Sequence, residues 1–144
     1  MTEFRSYRIQ KAYERQLKGS IRKTKRCNLC DEGEDRSLDR STKLFWIIRN
    51  NYPYSLWDSS RVKEHLMIVP KRCVDSISSF NSEELQEFGQ LLQKFESKDF
   101  NFYGRNSRSS IKTISHQHTH LLQINNLRIR FIFYLKKPRI RIRS

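Results

Sequence analysis

Three of the four histidines in this chain stand at every second position, His116, His118 and His120. A repeat of two belongs to an extended strand, in which alternate side chains share a face. The spacing predicts a strand over His116–Ile124 with three imidazoles on one side, about 7 Å apart between neighbours by strand rise. Gln117, Thr119 and Leu121 then take the other side. From the residues alone two chemistries are open. The rings can form a metal site, or one can serve as nucleophile or acid–base group while its neighbours hold phosphate.

The remaining pattern frames that strand. Lys43–Arg49 and His65–Pro70 read as buried strands, separated by a break at Tyr52-Pro53-Tyr54 and a polar loop running to Glu64. Asn81 or Ser82 caps a helix with Leu85, Phe88, Leu91, Leu92 and Phe95 at helical spacing. Phe100–Arg105 reads as a further strand, followed by a polar loop over residues 106–113. Residues 5–18 read as a basic amphipathic helix ending at Gly19, with Tyr7, Ala12, Tyr13 and Leu17 on one side. Arg128–Leu135 and Arg139–Arg143 read as a hairpin joined through Lys136-Lys137-Pro138. Strands mixed with one long helix predict an α+β class with an antiparallel sheet. At 144 residues one domain is expected, and 36% hydrophobic with 12% aromatic residues argues against wholesale disorder.

Charge divides the chain. Residues 1–26 carry nine basic and two acidic side chains, residues 127–144 carry seven basic and none acidic, and residues 27–126 are neutral. The expected organisation is thus a basic N-terminal arm, a central domain, and a basic C-terminal hairpin extending that domain. Such arms suit a polyanion, RNA or DNA; equally they suit solubility, or folding back onto an acidic face. The longest apolar runs are too short for a transmembrane helix, and the N-terminus lacks the apolar stretch of a signal peptide. With three cysteines, a reducing, cytoplasmic setting without a disulfide framework is expected.

His116-Gln117-His118-Thr119-His120-Leu121-Leu122 resembles the signature of the histidine triad (HIT) superfamily, His-x-His-x-His followed by two apolar residues. His65-Leu66-Met67-Ile68-Val69-Pro70-Lys71-Arg72 resembles the strand and turn before that family's long helix, and Asn50-Asn51-Tyr52-Pro53-Tyr54 resembles an element of its diadenosine polyphosphate phosphorylase branch. By motif order the resemblance covers about residues 27–124. It implies a nucleotide hydrolase or nucleotidyl transferase acting at the α-phosphate of a nucleoside phosphoramidate, a dinucleoside polyphosphate or a nucleotidylated molecule. It also implies His118 as the nucleophile of a covalent intermediate, His120 as the group steadying the phosphate, and a homodimer. Asn50 matches a position contacting ribose or base; Arg108, Lys112 and Thr113 precede the triad where the family has its phosphate loop.

Cys27-Asn28-Leu29-Cys30 reads as half a zinc site, a redox pair or a coincidence of spacing, and no thioredoxin-like pattern surrounds it. Zinc-containing relatives usually carry His at the position of Cys73, and their first triad histidine completes the site. The resemblance therefore implies a structural Zn²⁺ on Cys27, Cys30, Cys73 and His116. The chain also departs from the family. No glycine occurs between Arg105 and Thr113, and the stretch from Pro53 to His65 is long. Trp57 within it either stacks on a base as part of a lid or packs on the core, with packing favoured, and His65 is expected to make a strand-edge hydrogen bond. Two alternatives remain: a nucleic-acid-binding module on a catalytically weak scaffold, and a metal-dependent hydrolase using all three triad histidines as ligands.

Overall fold

The computed structural model describes residues 3–20, 29–30 and 38–128. Cys27 lies outside them, as does the expected C-terminal hairpin beyond Arg128. The strands are β1 (Glu3–Phe4), β2 (Leu38–Ser41), β3 (Phe45–Arg49), β4 (Leu56–Trp57), β5 (Ser60–Pro70), β6 (Phe100–Gly104) and β7 (Thr119–Arg128). The helices are α1 (Tyr7–Ser20) and α2 (Ser82–Glu96), with a 3₁₀ turn over Ile77–Ser79. All pairings are antiparallel, as expected for an α+β chain. β5 is the spine: β3 and β4 pair along one edge, and β7 along the other. β2 flanks β3, β6 flanks β7, and β1 joins the sheet on β4. Among the described residues, no helix is long and apolar enough to cross a membrane.

Alternation along the strands divides the sheet into two faces. Phe45, Ile47, Leu66, Ile68 and Leu121 point to the side covered by α2, where Phe88, Leu91 and Phe95 meet them. Ile48, Met67 and Val69 point the other way and pack with Leu29. Burial on both faces explains why His65–Pro70 reads as an unbroken apolar run rather than an alternating one.

The α2 helix begins with a reciprocal cap. Asn81 Oδ1 accepts from Glu84 N–H, and Glu84 Oε2 accepts from Asn81 N–H. Glu84 is also gripped by Arg72, at 3.0 Å through Nε and 2.6 Å through Nη2. This turns Glu84 inward and leaves Leu85, expected on the apolar side, 48% exposed. Glu84→Ala is expected to cost about 2 kcal/mol, a lost cap plus a lost charge-assisted bond to a half-exposed partner. Urea denaturation measures it, and a change within 0.5 kcal/mol or so would mean the cap is redundant.

Two expectations are corrected. The region to Glu64, read as loop, contains β4 and the start of β5, joined by Asp58-Ser59 with φ of 46° and 65°. Positive φ at both central positions makes a primed hairpin turn. The contact side of α1 is also different. Ile9, Tyr13, Gln16 and Leu17 are partly covered, whereas Tyr7 and Ala12 are exposed.

Candidate active site and metal centre

The triad does not lie on one strand. β7 begins at Thr119, so only His120 belongs to it. The backbone before it is engaged elsewhere: Gln117 N–H donates to Val74 O at 2.6 Å, and His116 O accepts from a side chain. The predicted strand over His116–Ile124 therefore starts three residues late, and the evenly spaced row of three rings is replaced by two separate centres.

The first centre holds His116. Its Nε2 is 2.9 Å from Pro70 O, which can only accept, so the proton sits on Nε2. Nδ1 is left with its lone pair, 3.4 Å from Cys30 Sγ. Cys30 Sγ, Cys73 Sγ and a His116 ring nitrogen all lie within 4.8 Å of one another. Thiolates bound at about 2.3 Å to one tetrahedral zinc stand about 3.8 Å apart, so this set needs only a small closure. Two sulfurs and an imidazole whose other nitrogen is anchored to a carbonyl fit a structural zinc. Cys27, the fourth expected ligand, lies outside the described residues.

The second centre joins β5 and β7. Met67 faces His120 across the ladder, which puts His65 diagonally beside it. His65 Nδ1 is 3.1 Å from Tyr54 N–H, a donor only. Nδ1 of neutral His65 must accept, and Nε2 must carry the proton. Two groups approach that Nε2: His120 Nδ1 at 2.9 Å and Asn50 Nδ2 at 3.1 Å. Asn50 Oδ1 accepts from Tyr52 N–H at 2.8 Å, which fixes the amide with its NH₂ toward the ring. An NH₂ cannot accept, so the His65 proton goes to His120 Nδ1. His120 in turn carries its proton on Nε2 and presents it as a donor.

His118 has the opposite tautomer. Its Nδ1 is 2.8 Å from His116 O, so the proton is on Nδ1 and Nε2 keeps its lone pair. The His118 and His120 rings are 5.1 Å apart and at right angles. Tyr54 and Tyr103 pack beside His120, and Trp57 packs against both tyrosines. Trp57 is core, as expected. The strand-edge role expected of His65 is corrected: it is a buried link between Tyr54 and His120.

Burial keeps these rings neutral. His65 is pushed down to about 3, chiefly by burial and then by Arg5 and His118. His120 is lowered well below its usual 6.5, by burial and then by His65, His118 and the two arginines Arg5 and Arg105. His118 is lowered by burial, against the opposing pull of its bond to His116 O. The sign for stability follows. Below pH 6.5 or so the unfolded chain protonates His65 and His120 while the folded protein does not. Stability is fully present above that value and falls as pH drops, for His65 over the range down to about 3. Urea midpoints at pH 7.5, 6.0 and 5.0 measure this; a flat profile would mean the rings are not held neutral.

His118 and His120 open into a cavity of about 250 Å³ that Asn50, Lys112 and Thr113 also line. Arg108 is not among its lining residues. It sits exposed in a turn, its N–H bound to Asn106 Oδ1. Arg105 lines the cavity in its place. Lys112 Nζ reaches Asp75 O at 2.7 Å and Gln117 Oε1 at 3.4 Å, and Thr113 Oγ1 is paired with Tyr13 OH. Sequence reasoning missed His65, Tyr54, Arg5 and Tyr13. The isolated fourth histidine at the head of an apolar run was a usable signal for His65. Arg5 and Tyr13 reach the cavity only through the docking of β1 and α1.

No family model matches the sequence, and no curated protein matches it. Solved structures do match. One is a HIT family hydrolase from Legionella pneumophila Philadelphia 1, at 16% identity over 67% of this chain and 91% of the other, with a TM-score of 0.52. A HIT family hydrolase from Clostridium thermocellum aligns at 16% identity over 73% and 96%, with a TM-score of 0.54. A histidine triad protein from Clostridium difficile aligns at 20% identity over the same shares, with a TM-score of 0.51. At these identities the likeness is one of fold.

Proposed function

From the premise that the chain has the histidine triad fold, we propose that it is a nucleotide hydrolase or nucleotidyl transferase working through a covalent intermediate on His118. The observation that carries this reading is the pair of opposed tautomers. His118 offers a lone pair on Nε2, and His120 beside it offers an N–H on Nε2. A neutral imidazole is a competent nucleophile at neutral pH. Nε2 of His118 forms a bond to the α-phosphorus, and the bond from phosphorus to the leaving group breaks with its electron pair on the leaving group. Water or another acceptor then displaces the imidazole. His120 donates to a non-bridging oxygen and steadies the charge that builds there. The substrates in view are nucleoside phosphoramidates, dinucleoside polyphosphates and nucleotidylated molecules.

The ligand set Cys30, Cys73 and His116, with Cys27, would hold a structural zinc. It would fix the His116 backbone, whose carbonyl sets the His118 tautomer. Acid-quenched mass spectrometry after incubation with a panel of such substrates tests the proposal. A nucleotidyl adduct on the His118 peptide is expected; turnover without any adduct contradicts it.

A second reading has one specific observation behind it. The outer side of α1 exposes Lys11, Arg15 and Lys18 beside Tyr7, a basic face with an aromatic ring. RNA or DNA bound there through phosphates would show affinity that falls steeply with salt. Salt-independent binding, or none, dismisses this reading.

A further inference from the structure

A phosphate-binding loop works by aiming several backbone N–H groups at one anion. In the turn after β6, three of these donors are spent on the turn itself. Arg108 N–H goes to Asn106 Oδ1, Ser109 N–H to Asn106 O, and Lys112 N–H to Ser109 O. The nearby side chains are also engaged: Thr113 with Tyr13, and Lys112 Nζ with Asp75 O.

Arg5 is placed differently. Its guanidinium lies against two aromatic rings, 4.3 Å from the Tyr13 centroid and 4.6 Å from that of Tyr54. Nε donates to Tyr52 O at 2.9 Å. Among the described residues neither Nη nitrogen has an acceptor. With two rings against the guanidinium and the Nε edge tied, the remaining N–H bonds form a planar fork. That fork matches two oxygens of a phosphate. The main chain on either side is fixed, by the Phe4↔Leu56 pairing and by Ser6 N–H donating to Ser55 Oγ at 2.9 Å. Arg5 also lines the cavity that holds His118 and His120.

We propose that Arg5 is a phosphate-binding residue of this cavity, so that the N-terminal segment is part of the substrate site. The ligand class is a phosphoanion, in the first instance the phosphate of a nucleotide. Its identity as a nucleotide rests on the nucleotidyl reading above; the anion site itself does not.

Calorimetric titration of the full chain with adenosine 5′-monophosphate, adenosine and inorganic pyrophosphate tests it. Arg5→Gln is expected to weaken both phosphate compounds at least tenfold while leaving adenosine within twofold of wild type. Arg5→Lys, which keeps the charge and loses the fork, is expected to fall between them, and it serves if Arg5→Gln melts early. Phosphate affinities unchanged in both variants overturn the proposal. So does a parallel loss of adenosine and its monophosphate, which would make Arg5 only a strut for the segment, and so does wild-type protein that binds neither phosphate compound. An Arg5-dependent pyrophosphate site in a protein that never forms a histidine adduct upholds this inference and removes the nucleotidyl reading. An adduct on His118 with affinity indifferent to Arg5 does the reverse.

Discussion

Replacing His118 with Asn is expected to abolish turnover and adduct formation on the best substrate, a loss of at least about a thousandfold, while nucleotide affinity changes little. Asn can keep the bond to His116 O through its amide N–H, but it has no nucleophilic nitrogen to offer. His120→Asn has a different signature. It removes a donor to the phosphate and breaks the link to His65, so turnover is expected to fall by about a hundredfold with adduct still forming. Single-turnover kinetics separate the two. Wild-type turnover in His118→Asn would end the covalent mechanism.

Loss of metal is expected to have the largest effect on stability. Elemental analysis should find one zinc per chain. Cys73→Ser and Cys27→Ser should each release it and cost about 4 kcal/mol or more, because closed thiolate sites contribute folding free energy directly. For a chain of this size that is a drop in Tm of roughly 10 °C or more. The reason is visible in the connectivity. Cys30 belongs to the N-terminal part of the chain, Cys73 follows β5, and His116 precedes β7. One ion would tie all three. Metal-free protein with an unchanged melt would remove zinc from the account.

Much of this was readable before the fold was known, and the errors have physical causes. α2 was legible because the Asn81 to Glu84 cap and the Phe88, Leu91, Phe95 stripe agree. The exposed Leu85 was not, since its orientation follows from Arg72 pulling Glu84 inward across twelve residues of chain. The hairpin at Asp58-Ser59 was hidden because neither residue is glycine, although both adopt positive φ. The motif singled out His118 and His120, which the structure brings to one cavity, yet strand periodicity misplaced His116 and His118: Gln117 N–H between them donates to Val74 O, and His116 O accepts from the His118 ring rather than from a neighbouring strand. Nothing local could have shown Arg5 at the cavity, because it arrives through a two-residue strand pairing with β4. Arg108 matched by position in the chain, and the structure leaves it in an exposed turn outside the cavity lining.

The tautomers of His118 and His120 carry the whole proposal, and they can be read directly. Long-range ¹⁵N–¹H correlation spectra at pH 7 on the ¹⁵N-labelled protein distinguish a protonated from an unprotonated ring nitrogen. The arrangement predicts His118 protonated at Nδ1 and bare at Nε2, with His65 and His120 both protonated at Nε2. A proton found on Nε2 of His118, leaving no lone pair toward the cavity, would contradict it.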